Sequence, residues 1–209
     1  MHGDISHANV MYKDLKDGRI VGVLNDFDLA CTVDPTQPLP EASEPDSGRG
    51  IGTVPYISFD LLTHEWCKTI PPHMYRHDLE SLFWVMHWHT HRYEDGKLVS
   101  CERPSELPFE DWKNVSLSDL HHAKVSQLMF ESLKPTNTYQ ALCPLLEGIQ
   151  WAFGDGYMQA KFDQRGKRGK DREGGSNSDA APKFDQYTLG GHVTFDVLEK
   201  LFIEHRPSN

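Results

Sequence analysis

The stretch His77–Arg92, HDLESLFWVMHWHTHR, restricts the fold of this chain more than any other segment. Leu79, Leu82, Phe83 and Met86 follow the i, i+3, i+4, i+7 spacing of one helix face. Trp84, Val85 and Trp88 cover much of the remaining surface. A helix that is apolar almost all round offers no face to water, so it belongs at the centre of a helical domain with other elements packed about it. With 209 residues the chain is long enough to supply those elements, either as one domain or as one large lobe of a bigger fold.

The other elements are shorter. NVMYK (Asn9–Lys13) and IVGVL (Ile20–Leu24) read as strands, joined by DLKDGR with Asp17-Gly18 as the turn signal. Helices are expected around Ser118–Leu133, with Ser118 as N-cap, and over Thr138–Phe153 and Thr194–His205. Thr32–Arg49 carries prolines at 35, 38, 40 and 45 among acids, the composition of a long flexible loop. Lys161–Lys183 is rich in Gly, Ser, Lys and Arg with a single aromatic residue, which predicts a disordered linker in which the basic run Arg165–Arg172 is merely solvated. The expected fold is therefore mainly α with a small β-hairpin (α+β): a domain over 1–160, a linker over 161–183 and a closing helix of the same lobe within 184–209.

Composition removes several function classes. The 21 basic residues face 31 acidic ones, a net charge of −10, so neither a nucleic acid nor an anionic membrane is an expected partner. Cys31, Cys67, Cys101 and Cys143 form no C-x-x-C pair, which argues against a zinc ribbon or a disulfide scaffold and for a reducing intracellular compartment, cytoplasm or nucleus. No apolar run has the length of a membrane span, and the N-terminus lacks a signal-peptide pattern. His87 and His91 stand at i, i+4, yet no carboxylate or thiol nearby completes a metal set, so HWHTH reads as a helix end with solvated histidines, and His121-His122 likewise. Cys31 reads as a small apolar filler.

The residues that carry chemistry lie in three short stretches, HGDISHAN at 2–9, NDFDLA at 25–30 and GTVPYISFDLL at 52–62. Asp and Asn at strand ends are common turn formers, and that is the plain reading of each taken singly. Together they supply more. Phosphoryl transfer needs a carboxylate to orient the attacking hydroxyl, oxygen ligands for Mg²⁺ and a platform for the acceptor. Magnesium takes hard oxygens, usually only one or two from the protein. An aspartate, an asparagine five residues on and an aspartate after the next strand make up such a set.

In these stretches the sequence resembles a protein kinase, specifically the fungal-type protein kinases. HGDISHAN is similar to the catalytic loop (2–9), Asp26-Phe27-Asp28 to the metal-binding triplet, 26–60 to the activation segment and RHDLESLFWVM to the central helix of the large lobe (77–92). The resemblance implies ATP and Mg²⁺ as cofactors and serine or threonine of a protein, itself unidentified, as acceptor. It implies Asp4 as catalytic base, Asn9 and Asp26 as the Mg-ATP ligands and Thr53 as part of the acceptor platform. It gives structural roles to His2 in the catalytic loop, to Asp78, which would bond that loop from the central helix, and to Asp60, which would replace the glutamate of A-P-E.

Departures accompany the match. Gly3 replaces the arginine of H-R-D, Ser6 stands where serine/threonine kinases carry a lysine, and Asp28 replaces the glycine of D-F-G. Thr36, Ser43 and Ser47 are available in the activation segment, but the missing arginine removes the usual partner of a phosphorylated loop. No Gly-rich loop, strand lysine or hinge stands before His2, so the expected fold is a large lobe truncated before the catalytic loop. Part of the central helix would then be uncovered and open to a protein partner. Two further readings follow: an inactive, pseudokinase-like interaction module or truncated gene product, and a small-molecule phosphotransferase of the aminoglycoside or choline kinase type, which also uses an H-G-D loop.

Overall fold

The computed structural model describes residues 1–32, 52–65, 72–172 and 184–206, with 63–65 and 167–172 described by backbone alone. It is mainly helical with two small antiparallel hairpins. The loop expected over 32–49 lies, from residue 33 on, outside the described residues, as do Thr36, Ser43 and Ser47.

Strands β1 (Val10–Asp14) and β2 (Ile20–Leu24) pair antiparallel, Val10 opposite Leu24 and Asp14 opposite Ile20. The turn closes through Leu15 N–H to the Arg19 carbonyl at 2.8 Å and Gly18 N–H to the Leu15 carbonyl at 2.9 Å. Almost every side chain of this hairpin is exposed. Its place is set less by packing than by Asn25 N–H, which donates 2.9 Å to the Asn9 carbonyl and ties the two outer ends together.

Helix α1 (Tyr75–Arg92) is the central element expected from the sequence, begun two residues earlier. Phe83 and Trp84 are each 1 % exposed. They pack in one core with Leu120 and Leu128 of α2 (Leu117–Met129), with Leu146, Ile149 and Phe153 of α3 (Cys143–Arg172), and with Leu61 and Leu62. Leu82 and Met86 are half-buried and Tyr75 is the one large apolar side chain of α1 that is exposed, so the helix is more fully covered than the sequence suggests. A tight turn at Asp95-Gly96, both at positive φ, then joins β3 (Tyr93–Glu94) to β4 (Lys97–Leu98).

Several expectations are corrected. The N-cap of α2 is Ser116, not Ser118: its hydroxyl accepts from Asp119 N–H at 3.1 Å and donates to the Asp119 carboxylate at 2.8 Å, a reciprocal cap that Ser118 lacks. The third helix begins after a 3-10 turn at Asn137–Leu142 and runs to Arg172, so 161–172 is helical rather than disordered, while 173–183 lies outside the described residues. Its Gln, Lys and Arg are good helix formers on a helix already anchored by packing, and Gly166 and Gly169 cost only about 1 kcal/mol each relative to alanine. Among the described residues of 184–209 only α4 (Phe195–Glu204) is helical, capped by Thr194, whose hydroxyl accepts from Val197 N–H at 3.1 Å. Gly148 and Gly156 let α3 approach its neighbours: a Cβ there would come within 2.8 Å of Leu201 and 2.7 Å of Leu189.

Of these histidines His122 is exposed as expected, whereas His87, His89, His91 and His121 are buried or half-buried. His87 is 1 % exposed, and its ring lies 4.3 Å from that of His91 and 4.6 Å from that of Phe109. Burial holds His87 well below its ordinary pKa, with His91 and Lys124 adding repulsion, and His91 is lowered by burial too. His121 is half-buried and stacks 4.5 Å from Phe59. Cys31 is exposed rather than a core filler.

Candidate functional site

The site begins at the N-terminal end of α1. Asp78, in its first turn, accepts from His2 N–H at 2.6 Å, Gly3 N–H at 3.0 Å and His73 Nε2 at 3.2 Å. Burial opposes the Asp78 charge, but the His73 bond and the two amides outweigh it and hold the carboxyl below its ordinary value. One carboxylate on the central helix thus fixes the backbone of residues 2 and 3. His2 is buried between further bonds: its Nδ1 accepts from Asp4 N–H at 3.3 Å, which leaves Nε2–H to donate 2.9 Å to the Asn25 carbonyl. Its ring meets Phe27 edge-on at 4.9 Å, so it joins the 2–9 loop to the 26–28 triplet.

Gly3 stands at φ +88°, and a Cβ there would lie 3.0 Å from the Leu29 carbonyl oxygen. The missing arginine is therefore a backbone matter as well as a charge matter: this loop conformation favours glycine. Ser6 is 2 % exposed, with its carbonyl accepting from Asn9 N–H at 3.0 Å and Val10 N–H at 3.1 Å.

Asp4 and Thr53 come together although 49 residues separate them. The Asp4 Oδ1 accepts from both Thr53 N–H and Thr53 Oγ1–H, each at 2.8 Å. The buried Asn9 donates its Nδ2–H to the Asp4 carbonyl at 3.0 Å and approaches Asp4 Oδ2 at 3.4 Å. With Nδ2 so engaged, Asn9 Oδ1 is the atom left for a further ligand. Asp26, at φ +63°, is exposed, and among the described residues its carboxylate has no hydrogen-bond or ion-pair partner. Asp26 follows Asn25, the residue bonded to Asn9, so an amide oxygen and an uncommitted carboxylate stand at the same end of the hairpin. Two hard oxygen donors suit Mg²⁺, which completes its shell with water and phosphate. Among the described residues no group of three His, Cys, Asp or Glu is placed to hold a metal.

The segment after Thr53 is held by a buried polar network. Asp60 pairs with the Arg76 guanidinium and with His77 Nε2 at 2.9 Å. Burial opposes the Asp60 charge, yet His77 and Arg76 outweigh it and hold the carboxyl far below the usual carboxylate range. Arg76 also donates to Tyr157 Oη at 3.1 Å and the Gln186 carbonyl at 2.8 Å, linking the segment to α3 and to the turn before α4. Glu80, fully buried one turn on, accepts from Phe59 N–H at 2.7 Å, Trp84 Nε1–H at 2.9 Å, and Ser58 Oγ–H and Tyr157 Oη–H at 2.5 Å each. On the other side the buried ammonium of Lys124 donates to the Ile57 carbonyl and sits 4.5 Å from the centroid of the Trp84 ring. Burial brings Lys124 down to about 7, against an opposing pull from Glu80.

The structure therefore gathers His2, Asp4, Asn9, Thr53 and Asp78 into one constellation, places Asp26 at its edge, and sets Asp60 in the adjoining anchor. Sequence reasoning did not find Arg76, Glu80, Lys124 and Tyr157 as parts of that anchor. Arg76 and Glu80 carried a signal, being charges at i, i+4 in a helix that has to be buried. Nothing local marked Lys124 or Tyr157.

Residues 2–9, the β1–β2 hairpin, residues 26–28, residues 52–62 and α1 follow one another in the order that the sequence resemblance implies. Residues 1–90 match the model of the family described as fungal protein kinase, so the resemblance read from the motifs is shown over that stretch. No curated protein and no solved structure matches the chain. No helix among the described residues is long and apolar enough to cross a membrane.

Proposed function

We propose that this chain carries the catalytic loop and acceptor segment of a protein kinase that transfers the γ-phosphoryl group of Mg-ATP to a serine or threonine of a protein. The observation that carries the reading is the pair of hydrogen bonds that Thr53 donates to Asp4 Oδ1. Among the described residues it leaves Asp4 Oδ2 touched only by the long Asn9 contact, hence able to accept the proton of an incoming hydroxyl. Thr53 orients that carboxylate and ties it to the segment that would present the acceptor. Asn9 Oδ1 and Asp26 would hold the metal, which when bound neutralises phosphate charge as transfer proceeds. Asp78, His2 and Gly3 fix the loop on the central helix and cost no reorganisation at the moment of reaction.

The purified chain is incubated with labelled ATP, Mg²⁺ and a generic protein acceptor, beside Asp4→Asn and Thr53→Ala. Incorporation by wild type that falls at least a hundredfold in Asp4→Asn supports the proposal. Equal labelling by wild type and Asp4→Asn rules out catalysis through this loop.

A non-enzymatic reading has one observation in its favour. No lysine or arginine stands from His2 to Asn9, and the buried Ser6 occupies the place of a phosphate-contacting lysine. Clear stabilisation of the chain by Mg-ATP in a thermal shift would count against that reading. Labelling of a small alcohol with no protein labelled would instead favour the small-molecule phosphotransferase.

A further inference from the structure

Helix α2 ends at Met129 against the flank of α3, and a surface cleft of about 230 Å³ opens between them. Two aromatic side chains stand at its mouth almost without cover: Phe130 is 82 % exposed and Trp151 is 65 % exposed. Trp84, Trp88 and Trp112 are all buried, so the exposure of Trp151 is unlike that of the other described indoles. The cleft is also electronegative. Glu131 and Glu147 line it, and among the described residues neither has a basic partner. Glu131 accepts only from Ser126 Oγ–H at 2.7 Å, and Glu147 is met only by the Cys143 thiol at 3.7 Å. The C-terminal end of α2, which carries partial negative charge, forms part of the same lining. Gln150, buried in the wall, spends its amide hydrogens on the Gln127 and Glu131 carbonyls at 2.5 and 2.9 Å and brings no positive charge.

Aromatic faces beside unpaired carboxylates and a helix C-terminus have one complementary chemistry, a cation with a flat apolar body. Guanidinium meets it better than ammonium, because it stacks on rings and forks to carboxylates. We propose that this cleft is a docking site for an arginine-bearing segment of a partner protein, the guanidinium lying between Phe130 and Trp151 and facing Glu131 and Glu147. The site lies on α2 and α3, away from Asp4 and Thr53, and so concerns recruitment rather than transfer. Its negative sign disfavours anionic lipid and nucleic acid.

The probe is a short acetylated, amidated peptide alternating arginine and leucine, with a counterpart in which glutamine replaces arginine. Binding to the whole chain is followed by NMR through the Trp151 indole N–H, assigned with Trp151→Phe. The arginine peptide is expected to move that resonance saturably, and the glutamine peptide is not. The double variant Glu131→Gln/Glu147→Gln should weaken binding about tenfold, as the loss of two rim charge pairs implies. Phe130→Ala should weaken it as well. Phe130, Glu131 and Trp151 are exposed and Glu147 is half-buried, and unchanged unfolding temperatures would show that the variants fold. Equal binding of both peptides, indifference to the two glutamine substitutions, or no saturable shift overturns the proposal. Binding of anionic vesicles that Trp151→Ala abolishes overturns it too.

Discussion

Replacing Asp60 by asparagine removes the one carboxylate that pairs with Arg76 in the anchor of the 53–65 segment. Arg76 is 2 % exposed and would keep only neutral acceptors, Tyr157 Oη, the Gln186 carbonyl and the amide oxygen of the substituted side chain, with Glu80 acting at longer range. Stranding a buried charge in this way costs about 3–5 kcal/mol, and the 21 % exposure of the Asp60 side chain admits some water, which puts the expectation at the lower end, about 3 kcal/mol. Arg76→Met should cost a similar amount, because it removes the permanent cation that faces the Asp60 carboxylate. The double variant should then lose about 2 kcal/mol less than the sum of the two, since neither charge is left stranded.

Urea unfolding of the four proteins at neutral pH measures this cycle, and amide exchange over 53–65 reports whether the loss is local. The pH dependence has a fixed sign. Asp60 has a folded pKa held well below its ordinary value near 4, so the stability that it contributes is present above about pH 4 and is lost as pH falls below that. Asp60→Asn should lack that part of the acid transition. A coupling energy below about 0.5 kcal/mol would show that the pair is solvated and that the segment is held by Glu80 instead.

Three further perturbations have definite outcomes. Lys124 is brought down to about 7, so between that value and its ordinary 10.5 the unfolded chain binds the extra proton and stability rises with pH; Lys124→Met should flatten the rise of the urea midpoint from pH 7 to 9. His87 is also lowered by burial, so wild type should lose stability as pH falls through about 6.5, and His87→Phe, which suits the surrounding Phe83, Phe109 and Trp112 rings, should lessen that loss. Gly3→Ala should cost about 1–2 kcal/mol in thermal unfolding, because φ +88° and the Leu29 carbonyl both oppose a Cβ; an unchanged midpoint would mean that the loop is free to relax.

The parts of the fold legible in the sequence are those whose cause is local. The hairpin announces itself through β-branched runs and Asp17-Gly18, and α1 through apolar residues on every side. Asp95-Gly96 is an equally local signal, and the β3–β4 hairpin that it makes was there to be read. The length of α3 was not, because its Gly- and Arg-rich end has no apolar face and is carried by a helix whose stability comes from packing upstream. The histidines failed for a related reason. HWHTH is polar by composition, but its environment is set by Phe109 and Trp112, which arrive from elsewhere in the chain. At the site, His2, Asp4 and Asn9 were legible because one short loop carries them. The bond from Thr53 to Asp4 spans 49 residues and only the fold could make it.

The central helix explains why so much charge is buried in so small a core. An apolar residue at position 80 would spare the desolvation of a carboxylate. It would, however, leave Phe59 N–H, Ser58 Oγ–H, Tyr157 Oη–H and Trp84 Nε1–H without their common acceptor, and nothing directional would set the register of residues 58–60 on α1. Asp78, one turn before the core aromatics, does the same for residues 2 and 3. Both carboxylates project from one rigid helix, so the loop bearing Asp4 and the segment bearing Thr53 are referred to a common frame. Dispersion packing alone, which tolerates sliding of a hydrophobic surface, would not hold the Thr53 hydroxyl at 2.8 Å from Asp4 Oδ1. On this argument Glu80→Leu, which strands four buried donors, should lower the unfolding free energy by several kcal/mol, at about 1–3 kcal/mol for each donor left unsatisfied, and sharply raise amide exchange across residues 53–62. If exchange in that segment stays at the wild-type level, the register is set by the apolar contacts of Tyr56, Ile57 and Leu61, and the buried carboxylate has no positioning role.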